Sequence, residues 1–584
     1  MRIQKYIITA LCGALMAVAC NKDDEGIGIK TKPDYSGIAN DNGIPTYADY
    51  YINIAGWDYH SSWNLANVHD PSIQYFSGDG YYYMFGTDAS YGNEHEKAAI
   101  GKHFQGKRSK DLVNWTHVYG PFNDVPSWVP DSLTSIRARM GLEPIESPAY
   151  GYWAPCIREY NGKLRMYYSI VVDNFIKTGK QNTAANFDNS WTERAFIGVC
   201  ESSNPSDPDS WVDLGFVVCS STDKANTADA YRRDSYYEYG TTYFYFNSID
   251  PTYHIDDEGR HWLIYGSWHS GFALLEINPE TGLPVNAYDD AGNFVGLGDP
   301  WGANPNYGTR IGTRNISSRW QASEAPEIVY KDGYYYLFMA YDELDVPYNT
   351  RVVRAESIEG PYYDITGRNF TNGRGDTYPI VTHPYKFNNS HGWVGLSHCC
   401  IFQQNGTGDW FYCSQGRLPN NVEENASSNA IMMGHVRRVV WCPASASELD
   451  NLWPLVLPER YAGLDKTAVS ESEIAGSYEL IVLAYTKGVQ NTSINLVLTS
   501  DGAITQDGES IGTWSFDASS QYLTATIKST TLILVAAHEA DWERVETVTD
   551  EDGEETTVQA RKETVVLVGT EKNLNGTVWG KKLI

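Results

Sequence analysis

Three acidic residues stand at the start of three copies of one local pattern. Asp70 lies in V-H-D-P, Asp250 in S-I-D-P and Glu324 in S-E-A-P. After each comes a short strand-like run, a polar turn and an aromatic strand: Y-Y-Y-M-F-G-T from Tyr81, H-W-L-I-Y-G-S from His261 and Y-Y-Y-L-F-M-A from Tyr334. Taken singly, D-P or E-A-P is an ordinary strand-entry turn, in which Asp bonds the local backbone and Pro fixes φ. Three acids in one repeated frame are different, because the repeat can carry them to one place. Carboxylates crowded into a partly dry pocket cannot all ionise, and each unit of pKa shift corresponds to about 1.4 kcal/mol. One carboxyl then stays protonated while another stays charged, and that acid–base pair is what cleavage of a glycosidic bond requires.

The elements that must position these acids recur twice more. W-A-P-C-I-R-E-Y-N-G-K-L-R-M-Y-Y-S runs from Trp153 to Ser169, and S-H-C-C-I-F-Q-Q-N-G-T-G-D-W-F-Y-C-S from Ser397 to Ser414. Each copy is a strand, a turn at N-G, D-G or G-D, and an aromatic strand, which is a hairpin signal. Third and fourth strands follow at 195–203 and 211–218 in one copy, and at 350–357 and 360–364 in another. Five repeats of four antiparallel strands predict an all-β fold, a five-bladed β-propeller, whose innermost strands line a central channel. The tyrosines at 81–83 and 334–336 read as blade packing. Segments 120–150, 173–194, 220–246 and 296–322 are long insertions, expected as loops that shape a cleft on one face.

Between about 458 and 466 the pattern changes. Short alternating strands follow at 476–483, 494–500, 512–516, 522–527, 531–536 and 564–570, and predict a small C-terminal β-barrel domain. The expected propeller spans 46–460 and the barrel 461–584.

The rest of the composition sets the setting. Tyr (42), Trp (18) and Gly (51) are abundant, which suits strands, turns and sugar-stacking surfaces. A formal net charge of −29 excludes nucleic acid as a partner, because phosphate binding needs a basic patch. A neutral glycan tolerates such a charge. Arg2 and Lys5, an apolar run over 6–18 and A-V-A-C ending at Cys20 form a signal peptide over 1–19. Small residues before a Cys resemble a lipobox, which would leave Cys20 lipidated and the protein anchored in the outer membrane at the cell surface. The N-K-D-D-E-G that follows resembles the acidic export tag of Bacteroidetes surface lipoproteins, and 20–45 reads as a flexible tether. The seven cysteines from Cys156 to Cys442 show no pairing framework and are expected as buried strand residues.

V-H-D-P-S-I with Y-Y-Y-M-F-G-T, W-A-P, N-S-I-D-P with D-D-E-G-R-H-W-L-I-Y-G-S-W, and S-E-A-P-E-I with D-G-Y-Y-Y-L-F together resemble glycoside hydrolase family 43, most of all its endo-α-1,5-L-arabinanases. The resemblance covers about 65–445, and the C-terminal domain is similar to a barrel attached to some of these enzymes. It implies a propeller that hydrolyses plant cell-wall arabinan or arabino-oligosaccharides with inversion. By matching motif, Asp70 would be the general base, Glu324 the general acid, and Asp250 the residue that tunes the acid and orients substrate. Trp153 would stack on a furanose, with Trp268 a similar platform, while His69 and Asn247 flank and orient the catalytic positions. His398 matches a channel histidine that helps hold a calcium ion, largely through water. An exo-acting arabinanase, an arabinofuranosidase or a xylosidase on the same frame is an alternative, as is a non-catalytic glycan-binding lipoprotein.

Overall fold

The computed structural model describes residues 64–88, 102–139, 144–145, 148–173, 192–220, 246–285, 307–419 and 432–583, apart from 319, 389, 543–544, 550–552 and 560–561. The expected signal peptide, tether and Cys20 lie outside the described residues, as do most of 173–194 and 220–246.

Five four-stranded antiparallel sheets follow one another along the chain, and in each the strands lie in sequence order. Their first strands are Ser72–Phe76, Ala149–Tyr160, Thr252–Ile255, Ser323–Lys331 and Cys400–Gln403. These are the blades of the propeller. The second strand of each is apolar on both faces because each face meets a different neighbour. In blade one, Tyr83 and Phe85 pack with Tyr168 and Phe196 of blade two. Tyr82 and Met84, pointing the other way, pack with Cys400 and Phe411 of blade five. Tyr167 meets Tyr253 between blades two and three, and Ile264 meets Leu337 between blades three and four. An unbroken ring of interblade cores results, and burial of the aromatics drives its closure. The ends are also laced by hydrogen bonds. The Gly434 N–H donates to Leu65 O at 2.7 Å, the Val68 N–H to Met432 O at 3.2 Å, and Ala66 bridges Met433.

Two expectations are corrected. The fourth strand of blade four is Ile380–Thr382, not 360–364. Tyr363 makes one bridge with Arg354, and then the Asp364 carboxylate accepts the N–H groups of Thr366 and Arg368 and turns the chain away. The insertion at 120–150 contains the helix Trp128–Arg139 rather than only loop. Trp128 anchors it on blade two, edge-on to Phe196 and Phe216, with its indole N–H on Asp213 at 3.0 Å. The seven cysteines are free and buried, as expected.

The C-terminal strands close into an eight-stranded barrel. The sequence patterns marked six of them; Ala503–Gln506 and Gly576–Lys582 complete it. Leu496, Leu523, Leu534 and Leu567 fill its interior. Outside, Trp579, Val566 and Ile481 share a core with Trp453 and Leu455 of blade five. A short parallel pairing of Tyr385–Lys386 with Asn491–Thr492 ties the barrel to the loop between blades four and five.

Candidate active site

Each blade carries, just before or within its first strand, a non-glycine residue in the left-handed region: Asp70 (φ 47°), Ala154 (44°), Asp250 (59°), Ala325 (55°) and His398 (51°). Such a conformation costs roughly 1–2 kcal/mol per residue. Five equivalent instances at one end of the channel mean that the fold imposes it. The kink turns each side chain, or that of the residue before, toward the axis. It also corrects the sequence reading by one residue. Asp70 and Asp250 are equivalent, but Ala325 holds that place in blade four, and Glu324 stands one residue earlier, in register with Trp153 of blade two. Both of these blades carry a bulge here, between Glu324 and Glu327 and between Trp153 and Cys156.

Asp70, Asp250 and His398 line the mouth of a small pocket, with Ser72, Cys156, Thr252, Glu327 and Cys400 one layer deeper. His398 Nδ1 lies 2.8 Å from Asp70 Oδ1. The Thr87 hydroxyl donates to Asp70 Oδ2 at 2.5 Å and accepts from the Ala154 N–H at 2.7 Å. The Asp70 N–H is held by Gln415 at 2.8 Å. Burial alone would raise the Asp70 carboxyl, but the His398 imidazolium and the Thr87 hydroxyl outweigh it and hold Asp70 below its usual range. Glu324 is held by two hydroxyls, Tyr348 at 2.6 Å and Ser267 at 2.9 Å. Burial dominates there, with the Asp70 charge adding to it, and the carboxyl is raised. Asp250 accepts the Ala325 N–H at 3.1 Å. Burial, then the Glu324 and Asp70 charges, push it up to about 8 against the pull of His398. Burial disfavours the charged imidazole of His398, yet Asp70, Asp250 and Glu324 together push it up to about 9. The mouth therefore holds one firmly charged carboxylate, two carboxyls that resist ionisation and one cation.

The other expected residues are spread around this centre. Trp153 is 41 % exposed and lies flat over Gly151, where a Cβ would fall 2.7 Å from the indole nitrogen. Trp268 is half-buried and pairs with the exposed Trp320, ring centres 4.5 Å apart. The Trp268 N–H donates to Ser323 O, which places it beside Glu324. His69 is buried, and its carbonyl accepts the Thr87 N–H at 3.0 Å. Gly86 permits that approach, since a Cβ there would lie 2.4 Å from the same oxygen. The Asn247 side chain is drawn toward Ser220 at 2.9 Å, and its carbonyl closes the turn into Asp250.

Sequence reading did not single out Thr87, Ser267, Tyr348 or Gln415. Thr87 and Ser267 had a signal, the hydroxyl after Gly at the end of an aromatic strand, in G-T and G-S. Tyr348 and Gln415 had none, because only folding brings them to the mouth.

His398 Nδ1 is engaged by Asp70, so that nitrogen is not free to ligate a metal. Among the described residues no group of three or more His, Cys, Asp or Glu side chains is arranged to hold a metal ion.

Comparison with known proteins places this geometry. The family model for glycosyl hydrolases family 43 matches residues 65–431, and that for a C-terminal lipocalin-like domain matches 458–580. The chain is similar to an extracellular endo-α-(1→5)-L-arabinanase of Thermotoga petrophila, 26 % identical over 80 % of this chain and 86 % of the relative. It is also similar to an extracellular exo-α-(1→5)-L-arabinofuranosidase of Cellvibrio japonicus, 25 % identical over 58 % and 76 %. The crystal structure of an endo-1,5-α-L-arabinanase from Thermotoga petrophila shares the fold with a TM-score of 0.60 at 22 % identity, covering 90 % of this chain and 100 % of that one.

Proposed function

The chain belongs to glycosyl hydrolases family 43, and from that premise we propose that it hydrolyses α-1,5-L-arabinofuranosidic bonds within plant arabinan, with inversion. The observation that carries this reading is the gathering of three carboxyls at one channel mouth in unequal surroundings, Asp70 beside His398 and Thr87, Glu324 buried under Tyr348 and Ser267. Asp70, charged and oriented by His398 and Thr87, takes a proton from water as the oxygen attacks the anomeric carbon. Glu324, whose carboxyl is raised by burial, gives a proton to the departing glycosidic oxygen, which leaves with the bonding pair. An inverting pair of this kind stands roughly 6.5–9.5 Å apart, with the water between. Asp250, pushed up to about 8 by burial and in part by the Glu324 charge beside it, is the neighbour that tunes the acid. The exposed face of Trp153 suits the apolar face of a furanose, and Trp268 suits a neighbouring one.

Linear arabinan, branched arabinan and xylan, with products sized over time, test the reading. Mixed oligosaccharides from linear arabinan support attack within the chain. The similarity to an exo-acting relative favours a second reading, release from chain ends, which would give a single product length from the first minutes.

Calcium is proposed as an ion held near His398 largely through water, and no catalytic step runs through it. Chelation and calcium add-back, read in melting temperature, tests this; no change in either step removes the ion. We further propose export and a lipid anchor at Cys20, a tether over 20–45, a catalytic unit over 46–460 and an accessory barrel over 461–584. The extracellular relatives support export. Loss of membrane association in Cys20→Ala tests the anchor.

A further inference from the structure

Only two tryptophans among the described residues are exposed, Trp153 at 41 % and Trp320 at 39 %. Both stand at the channel mouth, Trp153 in blade two and Trp320 four residues before Glu324. A single exposed aromatic is ordinary on a protein surface. Here a third indole lies against one of the two. The rings of Trp268 and Trp320 meet at 4.5 Å, tilted by 49°, and the His269 ring stands edge-on to Trp320. A contiguous apolar surface of this kind, left in water beside a catalytic acid, marks a place where a ligand is bound.

The surface is built onto the backbone that carries the acid. Trp268 lies in the turn between the second and third strands of blade three, and both it (φ 60°) and Ser270 (φ 59°) adopt the left-handed region. Gly271 lets that turn press on the end of the fourth strand, where a Cβ would fall 2.0 Å from the Gly312 oxygen. The Trp268 N–H donates to Ser323 O at 3.0 Å, and the Trp268 carbonyl accepts the Gln321 N–H at 2.8 Å. Ser267, one residue earlier, is the donor to Glu324 at 2.9 Å. Trp320 is presented by the loop 313–321, which the buried Gln321 side chain nails down. Its oxygen accepts the Thr313 hydroxyl at 2.7 Å and the Asn315 N–H at 2.8 Å. Its amide donates to Asn315 O at 3.0 Å and to Ser318 O. Every hydrogen-bonding position of that amide is therefore used within the loop. The indole of Trp320 is exposed on a support that does not need to order on binding, which is how a preorganised site is made.

We propose that Trp320, backed by Trp268, is the platform for the sugar units that depart, and that it sets where along the chain the enzyme cuts. This rests on the reading of Glu324 as the acid and of arabinan as the substrate. The acid must stand beside the departing oxygen, and in an α-1,5 linkage that oxygen stays with the fragment that carries the reducing end. A surface bonded to the backbone immediately before Glu324 therefore lies on the reducing-end side of the cut. A furanose offers it an apolar face of C–H bonds. Stacking beyond the cleaved bond favours binding registers that have chain on both sides of it, which are the registers of internal attack. A substrate with nothing beyond that bond gains nothing from Trp320.

The test uses the full chain and linear α-1,5-arabino-oligosaccharides of graded length, labelled at the reducing end, with the labelled fragments sized to give the frequency of cleavage at each bond. Trp320→Ala should move cleavage toward the reducing end, so that the labelled fragment shortens, and should lower kcat/KM on linear arabinan roughly three- to tenfold. Trp320→Tyr keeps an aromatic face and should keep the wild-type pattern. A general loosening of the fold lowers the rate at every bond alike and does not move the pattern. An unmoved pattern in Trp320→Ala, or a move toward the non-reducing end, overturns the proposal whatever the overall rate. If Trp320→Ala does not fold, Trp320→Gln, which keeps a long side chain without a ring, is read in the same way. Wild-type protein that leaves every oligosaccharide intact overturns the proposed function and this platform together. Cleavage by the wild type with a pattern that Trp320→Ala leaves unmoved overturns the platform alone.

Discussion

Two layers of the same channel, one residue pair apart, handle charge in opposite ways. At the mouth, Asp70, Asp250 and Glu324 share a single cation, His398, so the carboxyls cannot all be ionised at once. One layer deeper, Glu327 meets Arg158 at 2.5 Å, and Thr252 and the Ile401 N–H complete its bonding. Burial would neutralise Arg158, but the thiol of Cys156 and the Glu327 carboxylate beside it keep it charged, with its pKa raised. The deeper pair is matched one to one, although burial still raises the Glu327 carboxyl. The mouth is left with an excess of acid, and that imbalance gives neighbouring carboxyls different protonation states. Burial is common to both layers; the count of cations separates chemistry from structure.

The contrast can be broken at either layer. Glu324→Gln should lower kcat by about 10²–10⁴-fold while oligosaccharide binding by calorimetry persists. Retained activity would return the mouth to the status of the layer beneath. Arg158→Met leaves Glu327 buried and unpaired and should cost about 3–5 kcal/mol in denaturant unfolding, whereas Arg158→Met with Glu327→Leu should recover most of it. In the folded fraction of these variants the pH–rate profile should not move. At the mouth, His398→Gln removes the cation that keeps Asp70 charged. The Asp70 carboxyl then rises, and the acid limb of kcat/KM moves up by about one unit, or about 1.4 kcal/mol.

Stability should follow the same excess. His398 is raised to about 9 in the fold, so its contribution is complete below its ordinary 6.5 and is lost as pH climbs through 9. Asp250, raised to about 8, also loses stabilisation as pH rises from 3.8 to 8. Melting temperature should therefore fall as pH rises from about 4 to 9, and Asp250→Asn should flatten the part of that fall below about 8. The smallest change is at the rim. Trp153→Ala should weaken substrate binding by about 0.5–1.5 kcal/mol, read as KM with kcat nearly constant.

The repeat was legible because blade strands must bury both faces, which writes an aromatic run into every copy. The three acids were legible for the same reason. The offset of Glu324 was not, since aligning the copies on D-P and S-E-A-P hides the bulge that lets an earlier residue reach the axis. Arg158 and Glu327 both sit inside quoted motifs, yet nothing local pairs residues from blades two and four. Tyr348 was silent because a tyrosine in a loop gains its role from what the fold sets beside it. The two missed barrel strands have plainer causes: Ala503–Gln506 is only four residues long, and Gly576–Lys582 mixes Gly and Lys with its apolar residues.

The lacing of Ala66 to Met433 sets an order of events for the growing chain. Synthesis proceeds from the N-terminus, so the strand ends around residue 66 wait through four blades for their partner. Until residue 433 emerges, the outer flank of blade one, with Tyr82 and Met84, has no fifth blade to cover it. Such a late, long-range closure is slow and leaves apolar surface bare in the interval. The step that completes the catalytic ring is thus also the step at which a nascent molecule is most exposed to wrong partners.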